Sequence, residues 1–290
     1  MVKKRNAITW IWEIKEDVRK EIDVNDVRTR TSKKSTFPKR LHLYCCNKIP
    51  DQSLVDIRQY FEGFTALKSL HFAFRHCLRV TPTGIFHLNE GLKRFSSLKK
   101  LDFYFENGDS YMNDRSLGTL TQGFRRHISL KRLRLIFWDC NLVTELGILI
   151  LCKGLQNLVF LHSLETSFNS CEKITDKGLS RIRKLLNKLK NLQQLNFHFR
   201  SCPGVSFSGI KQITQGSKLL HFRRKMTLKF LKDSCEIVLA SASSELIFQK
   251  EFWMQTMKDD FDVLENFLNK FSALESLNFE LDSLKLMRAD

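Results

Sequence analysis

Cysteine is a residue type that could bind zinc or form disulfides, and six of the cysteines in this 290-residue chain recur at a nearly constant spacing. With Gly108 counted in the same column the steps are 31 to 33 residues, and the members are Cys46, Cys77, Cys140, Cys171, Cys202 and Cys235. Zinc ligands must converge on one point, whereas the only close pair, Cys45 and Cys46, faces opposite sides of a strand. The column therefore predicts free, buried thiols in the turns after strands, and no metal site.

Histidine could act as a general base. His71 and His198 occupy outward positions of two predicted strands, but four strand steps separate them by roughly 19 Å, at about 4.8 Å per strand. No H-E-x-x-H, G-x-S-x-G or kinase motif occurs in the chain. The sequence therefore predicts no catalytic residue, no cofactor and no enzymatic activity.

Two further columns of small residues lie beyond the cysteines. The first is predicted to cap helix N-termini through its hydroxyl groups and comprises Thr81, Thr144, Thr175 and Ser206. The second follows three residues later, in Gly84, Gly147, Gly178 and Gly209. Because no G-x(4)-G-K-[ST] motif accompanies these glycines, phosphate binding is not expected.

These columns belong to an internal repeat of about 31 residues. Four gap-free segments begin at Leu67, Leu130, Leu161 and Leu192 and share L-x-x-L-x-[LFT]-x-F-x-x-C-x-x-[VI]-[TS]-x-x-G-[LI]. Each unit starts with alternating apolar residues, typical of a strand, and ends with apolar residues at helical spacing. Neither half can bury its apolar face alone, so stacked units predict an α/β solenoid of about nine strands, with a curved parallel sheet inside and helices outside.

The repeat pattern weakens at both ends, which suggests three segments of one continuous domain. Residues 1–38 are predicted to hold a capping strand at 8–14 and a basic connector, and residues 39–235 hold the regular repeats. Residues 236–290 are predicted to contain an insertion at about 239–260 and a degenerate last repeat with a strand at 277–281. The insertion is inferred because the step from Leu228 to Leu277 exceeds one repeat by 18 residues.

The net charge is +17 and is unevenly distributed. From Asp233 onward there are five basic and 12 acidic residues, so the basic excess lies in the earlier part of the chain, on predicted helices and helix-to-strand turns. Weak, nonspecific association of these helices with RNA or an anionic surface is one alternative function. The absence of a long apolar segment predicts no transmembrane span and a cytoplasmic or nuclear location.

Strand residues that alternate with the apolar columns face away from the helices. The predicted surface comprises His42, Tyr44, His71, Ala73, Arg75, Asp102, Tyr104, Glu106, Arg134, Ile136, Trp138, Glu165, Ser167, Asn169, Asn196, His198, Arg200, Thr227 and Lys229. With four basic and three acidic members it is close to neutral. It is either a plain solvated face or, because Tyr, Trp and Arg dominate protein-binding hot spots, a partner site. We predict a monomeric, non-catalytic protein-binding scaffold whose contacts are Tyr44, Arg75, Tyr104, Arg134, Trp138, His198 and Arg200.

The run Cys171-Glu-Lys-Ile174-Thr-Asp-Lys-Gly178-Leu179 resembles the cysteine-containing, ribonuclease-inhibitor-like leucine-rich repeat, and the resemblance extends over about 36–235. This resemblance implies a horseshoe-shaped binder. It also raises a second alternative, a ubiquitin-ligase substrate-recognition subunit acting through a separate adaptor. No F-box pattern is recognisable in residues 1–38, and the repeats are longer than the roughly 26 residues usual for the family.

Overall fold

The computed structural model describes residues 9–14, 39–46, 49–61, 64, 66–206, 209, 212–213, 225–232, 235–240, 245–249 and 276–280. Six strands in this part of the chain alternate with five helices of ten or eleven residues. The strands are β2 (Arg40–Cys46), β3 (Ser69–Arg75), β4 (Lys100–Glu106), β5 (Arg132–Trp138), β6 (Ser163–Asn169) and β7 (Gln194–Arg200). The helices are α1 (Asp51–Tyr60), α2 (Pro82–Leu92), α3 (Asp114–Phe124), α4 (Glu145–Leu155) and α5 (Asp176–Leu186).

The strands form one sheet in chain order, and β2 to β7 are parallel to their neighbours. Their register follows the repeat, so that Leu101 lies opposite both Leu70 and Leu133. On one side β1 (Thr9–Ile14) adds a parallel strand with Trp10 opposite Leu41. On the other side β8 (Lys225–Lys232) continues the parallel order. The α/β repeat architecture expected from the sequence is thus present.

The sheet ends differently from the expected regular stack. Strand β9 (Cys235–Ala240) pairs antiparallel with β8, so the edge that a further parallel repeat would use is occupied. Strand β10 (Glu245–Gln249), within the predicted insertion, pairs with β11 (Ser276–Glu280) in a separate two-stranded parallel sheet. Cys235 therefore starts an antiparallel strand instead of following a parallel one. The connector predicted at 15–38 lies outside the described residues.

A continuous apolar core lies between the sheet and the helices. Alternate strand residues point into it, and its largest members are phenylalanines in equivalent positions of successive strands. The rings of Phe74, Phe105, Phe137, Phe168 and Phe199 stack with centroids 5.0 to 5.8 Å apart and planes within 16° of parallel. The predicted phenylalanine column is confirmed. Stacked aromatic pairs stabilise a core by about 1 kcal/mol beyond the area they bury.

The cysteine column joins each repeat to the one before it. Cys77, Cys140, Cys171 and Cys202 are free and buried, as their spacing predicts. The thiol of Cys77 donates to the carbonyl of Cys45 at 3.2 Å, and that of Cys202 donates to the carbonyl of Phe168 at 3.1 Å. These thiols therefore fill the turns and also satisfy backbone carbonyls of the neighbouring strand.

A carboxylate at the start of some helices holds the N-cap of the next helix along the stack. Asp114 accepts hydrogen bonds from the backbone N–H and the hydroxyl of Thr144, at 2.9 and 2.7 Å. The same arrangement joins Asp51 to Thr81 and Asp176 to Ser206. Bonds to a carboxylate are about twice as strong as neutral ones, so these side chains fix successive repeats against each other.

The carboxylate also explains the glycine column. A Cβ atom on Gly147 would collide with the Asp114 carboxylate, which lies against the glycine backbone. In the next repeat Glu145 replaces the aspartate, and the hydroxyl of Thr175 has no hydrogen-bond partner and caps no N–H. The capping role predicted from sequence is therefore confirmed at Thr81 and Thr144 and is wrong at Thr175.

Candidate partner-binding face

The sheet has one face against the helices and one face that no described helix covers, which we call the open face. Four rows of side chains cross it, each row running through equivalent positions of β2 to β7. The first row is Arg40, Ser69, Lys100, Arg132, Ser163 and Gln194, and the second is His42, His71, Asp102, Arg134, Glu165 and Asn196. The third row is Tyr44, Ala73, Tyr104, Ile136, Ser167 and His198, and the fourth is Arg75, Glu106, Trp138, Asn169 and Arg200.

The first row is the part of the face that sequence reasoning missed. Each strand begins one residue before the consensus leucine, so this residue points the same way as the second row, as the exposed–buried–exposed pattern of Arg132, Leu133 and Arg134 shows. The signal was available, since the alternation of the strand extends to this residue. With Arg40, Lys100 and Arg132 included, the described open face has six basic and three acidic side chains, so the near-neutral face expected from sequence is corrected to a basic one.

The second row is a chain of alternating charges. Arg134 donates from Nε to Glu165 Oε1 at 2.8 Å, and His71 Nδ1 lies 3.9 Å from Asp102 Oδ2. Burial, together with nearby His42, Arg134 and Arg75, lowers the pKa of His71 to about 4. His71 is therefore neutral near pH 7, and its contact with Asp102 is not an ion pair.

Asp102 lies between His71 and Arg134 with one carboxylate oxygen buried. Partial burial raises the pKa of Asp102, and the neighbouring Arg134 guanidinium opposes that shift. Its Oδ1 atom has no hydrogen-bond partner. An acceptor with an unused lone pair beside two arginines suits an incoming donor group, such as a peptide N–H or a side-chain amide.

A shallow pocket of about 140 Å³ lies where the first two rows meet. Its polar lining consists of Asp102, Arg132, Arg134, Ser163, Glu165 and Gln194. These side chains offer guanidinium donors and carboxylate acceptors within one opening, but no hydroxyl or thiol paired with a base. The pocket can therefore fix a polar group of a partner, and it lacks the nucleophile and base that catalysis would require.

The third and fourth rows supply aromatic surface. The ring of Tyr44 lies 5.6 Å from that of His71, and the Arg75 guanidinium lies 5.4 Å above the Tyr104 ring. Arg75 also approaches Glu106, with Nε 3.8 Å from Oε2. Trp138 is 37% exposed. A partly exposed indole beside stacked arginine and tyrosine is a combination enriched in protein interfaces.

All seven residues predicted as partner contacts lie on the open face, but they do not form one compact cluster. Arg75 and Tyr104 are in contact, whereas Tyr44 on β2 and His198 on β7 are five strand steps apart, roughly 24 Å at about 4.8 Å per strand. Ala73 and Ser167, expected to face outward, are buried because larger residues flank each of them in the third row. The face therefore suits a macromolecule and not a small ligand.

The thiols outside this face have no reactive character. Burial raises the pKa of Cys140 to about 12 and that of Cys202 to about 11, so both remain protonated near neutral pH. Within the described ranges, no three His, Cys, Asp or Glu side chains are grouped as a metal would require. In the same ranges, no helix combines the length and the apolar content needed to cross a membrane.

No protein-family model matches the chain, and no curated protein matches it either. The geometry of the open face is thus the basis on which a function is proposed.

Proposed function

We propose that this chain is a non-catalytic scaffold of the leucine-rich-repeat type that binds a protein partner on its open face. The repeat type is supported by parallel strand–turn–helix units of about 31 residues whose turns are closed by buried cysteines. A partner on the open face is supported by the extent of that face. Six strands of seven residues span roughly 24 by 20 Å, more than half of the ~800 Å² that one protein contributes to a typical interface.

The single observation that carries the proposal is the combination of Arg134, Tyr104 and Trp138 on adjacent strands β4 and β5. Arg134 and Trp138 are exposed, Tyr104 is half-buried, and Arg134 is held by Glu165 in a defined orientation. Side chains that are ordered before binding lose less conformational entropy when a partner arrives. We expect these three residues to contribute most of the binding free energy.

The test is affinity purification of the intact chain with quantitative mass spectrometry, repeated with two triple variants. The first carries Tyr104→Ala, Arg134→Ala and Trp138→Ala on the open face. The matched control carries Phe86→Ala, Arg115→Ala and Lys153→Ala, exposed residues of α2, α3 and α4. A partner of the open face should be retained by wild type and control and reduced at least about 30-fold by the first variant.

Thermal unfolding of all three proteins establishes that each variant is folded. Retention of every captured protein by the open-face variant would contradict the proposal, and so would equal losses from both variants.

A further inference from the structure

The helix-to-strand turns lie together at the edge of the sheet where the parallel strands begin. We call the turns 93–100, 125–132, 156–163 and 187–194 the basic edge. They contain ten lysine and arginine residues and no aspartate or glutamate: Lys93, Arg94, Lys99, Lys100, Arg125, Arg126, Lys131, Arg132, Lys188 and Lys190. Eight of the ten are exposed, so the charge is presented to the surroundings.

Three large apolar side chains are exposed at the same edge. Ile128 is 57% exposed, and Val159 and Phe160 are 44% and 53% exposed. Ile128 and Val159 occupy equivalent positions of successive repeats, on turns that precede the neighbouring strands β5 and β6. The turn holding Val159 and Phe160 has no lysine or arginine, while the turns on both sides of it do, so an apolar centre lies between two basic flanks.

Hydrogen bonds between repeats hold these turns in place. The hydroxyl of Ser129 donates to the carbonyls of Ser96 and Leu98, and the side-chain amide of Asn191 donates to the carbonyl of Val159 at 2.8 Å. His162 Nδ1 lies 2.7 Å from the carbonyl oxygen of Phe160. The turns are thus tied to the next repeat, and the exposed apolar side chains extend from a fixed backbone.

Local structure accounts for part of this charge and for none of the apolar exposure. Basic residues in the last turn of a helix interact favourably with its dipole, which explains Arg125 directly after α3 and Lys93 directly after α2. Lys99, Lys100, Lys131 and Arg132 lie several residues further on, at the strand starts. Single exposed apolar residues are ordinary, but three together inside an acid-free basic surface indicate an interaction site.

We propose that the basic edge binds the surface of an anionic lipid bilayer, with Ile128, Val159 and Phe160 inserted at the headgroup–acyl boundary. Lysine and arginine attract anionic headgroups, and apolar side chains between them gain by leaving water for the acyl region. Single-stranded nucleic acid fits less well, because isoleucine and valine offer no ring on which a base can stack. This surface is distinct from the open face, so its test is independent of partner binding there.

The experiment is co-sedimentation of the full chain with vesicles of phosphatidylcholine alone or with about a quarter phosphatidylserine. The wild type should bind the phosphatidylserine vesicles only, and added salt should weaken the binding. A variant with Arg125→Gln, Arg126→Gln and Lys131→Gln should bind about a hundredfold less tightly, since each basic residue near an anionic surface contributes about fivefold. The matched control, Arg115→Gln, Lys153→Gln and Lys177→Gln on the helices, should bind as the wild type does.

Insertion is tested separately with Ile128→Ser, Val159→Ser and Phe160→Ser, which should weaken vesicle binding about tenfold or more. The control carries Leu78→Ser, Leu142→Ser and Leu146→Ser, equally exposed residues at the opposite edge of the sheet, and should leave binding unchanged. In the wild type, vesicles should also slow amide hydrogen exchange in turns 125–132 and 156–163.

Three results would overturn the proposal: no binding of wild type to phosphatidylserine vesicles, equal losses in a basic-edge variant and its control, or no effect of the three serine substitutions. Binding of single-stranded RNA that the serine substitutions leave intact, without vesicle binding, would assign the basic edge to nucleic acid instead. Thermal unfolding of each variant separates loss of binding from loss of fold.

Discussion

The two edges of the sheet carry opposite charge and use it in different ways. The strand-to-helix turns 106–114, 138–145 and 169–176, which we call the acidic edge, contain seven acidic residues and one basic residue. The basic edge, at the other end of the same strands, contains ten basic residues and no acidic one. Since both edges consist of turns between the same helices and strands, the difference comes from what each side chain contacts.

At the acidic edge, carboxylates bind backbone groups of the neighbouring repeat. Asp114 binds Thr144, and Asp109 Oδ1 accepts from the backbone N–H of Asn141 at 2.7 Å. Helix N-termini point toward this edge, and their unpaired N–H groups and positive dipole ends favour negative side chains. The acidic edge therefore holds the repeats together, whereas most of the charge on the basic edge faces outward and is available to a partner.

The largest expected effect separates Asp114 from Glu145, its equivalent in the next repeat. Asp114→Ala removes two bonds to a carboxylate and should lower the free energy of unfolding by about 3 kcal/mol. Glu145→Ala should lower it by less than about 0.5 kcal/mol, because the Thr175 hydroxyl has no partner to lose. Urea denaturation measures both, and equal losses would break the assignment of the acidic edge to internal bonding.

The glycine column provides the next contrast. Gly147→Ala places a methyl group against the Asp114 carboxylate and should destabilise the protein by about 2 kcal/mol. At Gly178 the nearest atom to an added Cβ belongs to Ile148 at 3.3 Å, so Gly178→Ala should be nearly neutral. In the double variant Asp114→Ala, Gly147→Ala the cost of the added methyl should disappear. Strict additivity in that urea-denaturation cycle would show that the two residues do not interact.

A buried histidine beneath the basic edge gives a pH-dependent test. His127 is 1% exposed, and burial lowers its pKa despite a bond to the Phe95 carbonyl. It is therefore neutral when folded, and below about pH 6.5 the unfolded chain takes up a proton that the folded chain resists, so stability falls as the pH falls.

His127→Leu, which matches Leu158 in the next repeat, should remove part of this dependence, about 1 kcal/mol between pH 7.5 and 5.5. Chemical denaturation of both proteins at the two pH values measures it. An identical pH dependence in both would mean that His127 is not a source of it.

The smallest expected effect is on the basic edge itself. Arg125→Gln, Arg126→Gln and Lys131→Gln together should change the free energy of unfolding by less than about 0.5 kcal/mol, because lost helix-dipole contacts are offset by reduced repulsion among basic neighbours. Urea denaturation of this variant beside the wild type gives the value. A loss above about 1 kcal/mol would show that this edge, like the acidic one, is part of the internal bonding.

Much of the regular fold was predictable because its signals are local. Apolar alternation in segments such as Leu133-x-Leu135-x-Phe137 and helical spacing after them identify strands and helices directly, and their recurrence at 31 residues implies parallel stacking. The outward positions of Tyr104, Arg134 and Trp138 follow from the same alternation. The regular region and the seven candidate contacts could thus be placed on their elements from sequence.

What only the tertiary structure decided depends on contacts between repeats. The contact of Asp114 with Thr144 and Gly147 joins residues 30 or more positions apart, the strand starts place Arg132 beside Arg134, and burial sets the pKa values of His71 and His127. The pairing of β11 with β10 was likewise beyond the repeat pattern, because the antiparallel β9 occupies the edge of the main sheet. Sequence determined the unit because periodicity is local, and structure decided how units meet because neighbours in space are distant in the chain.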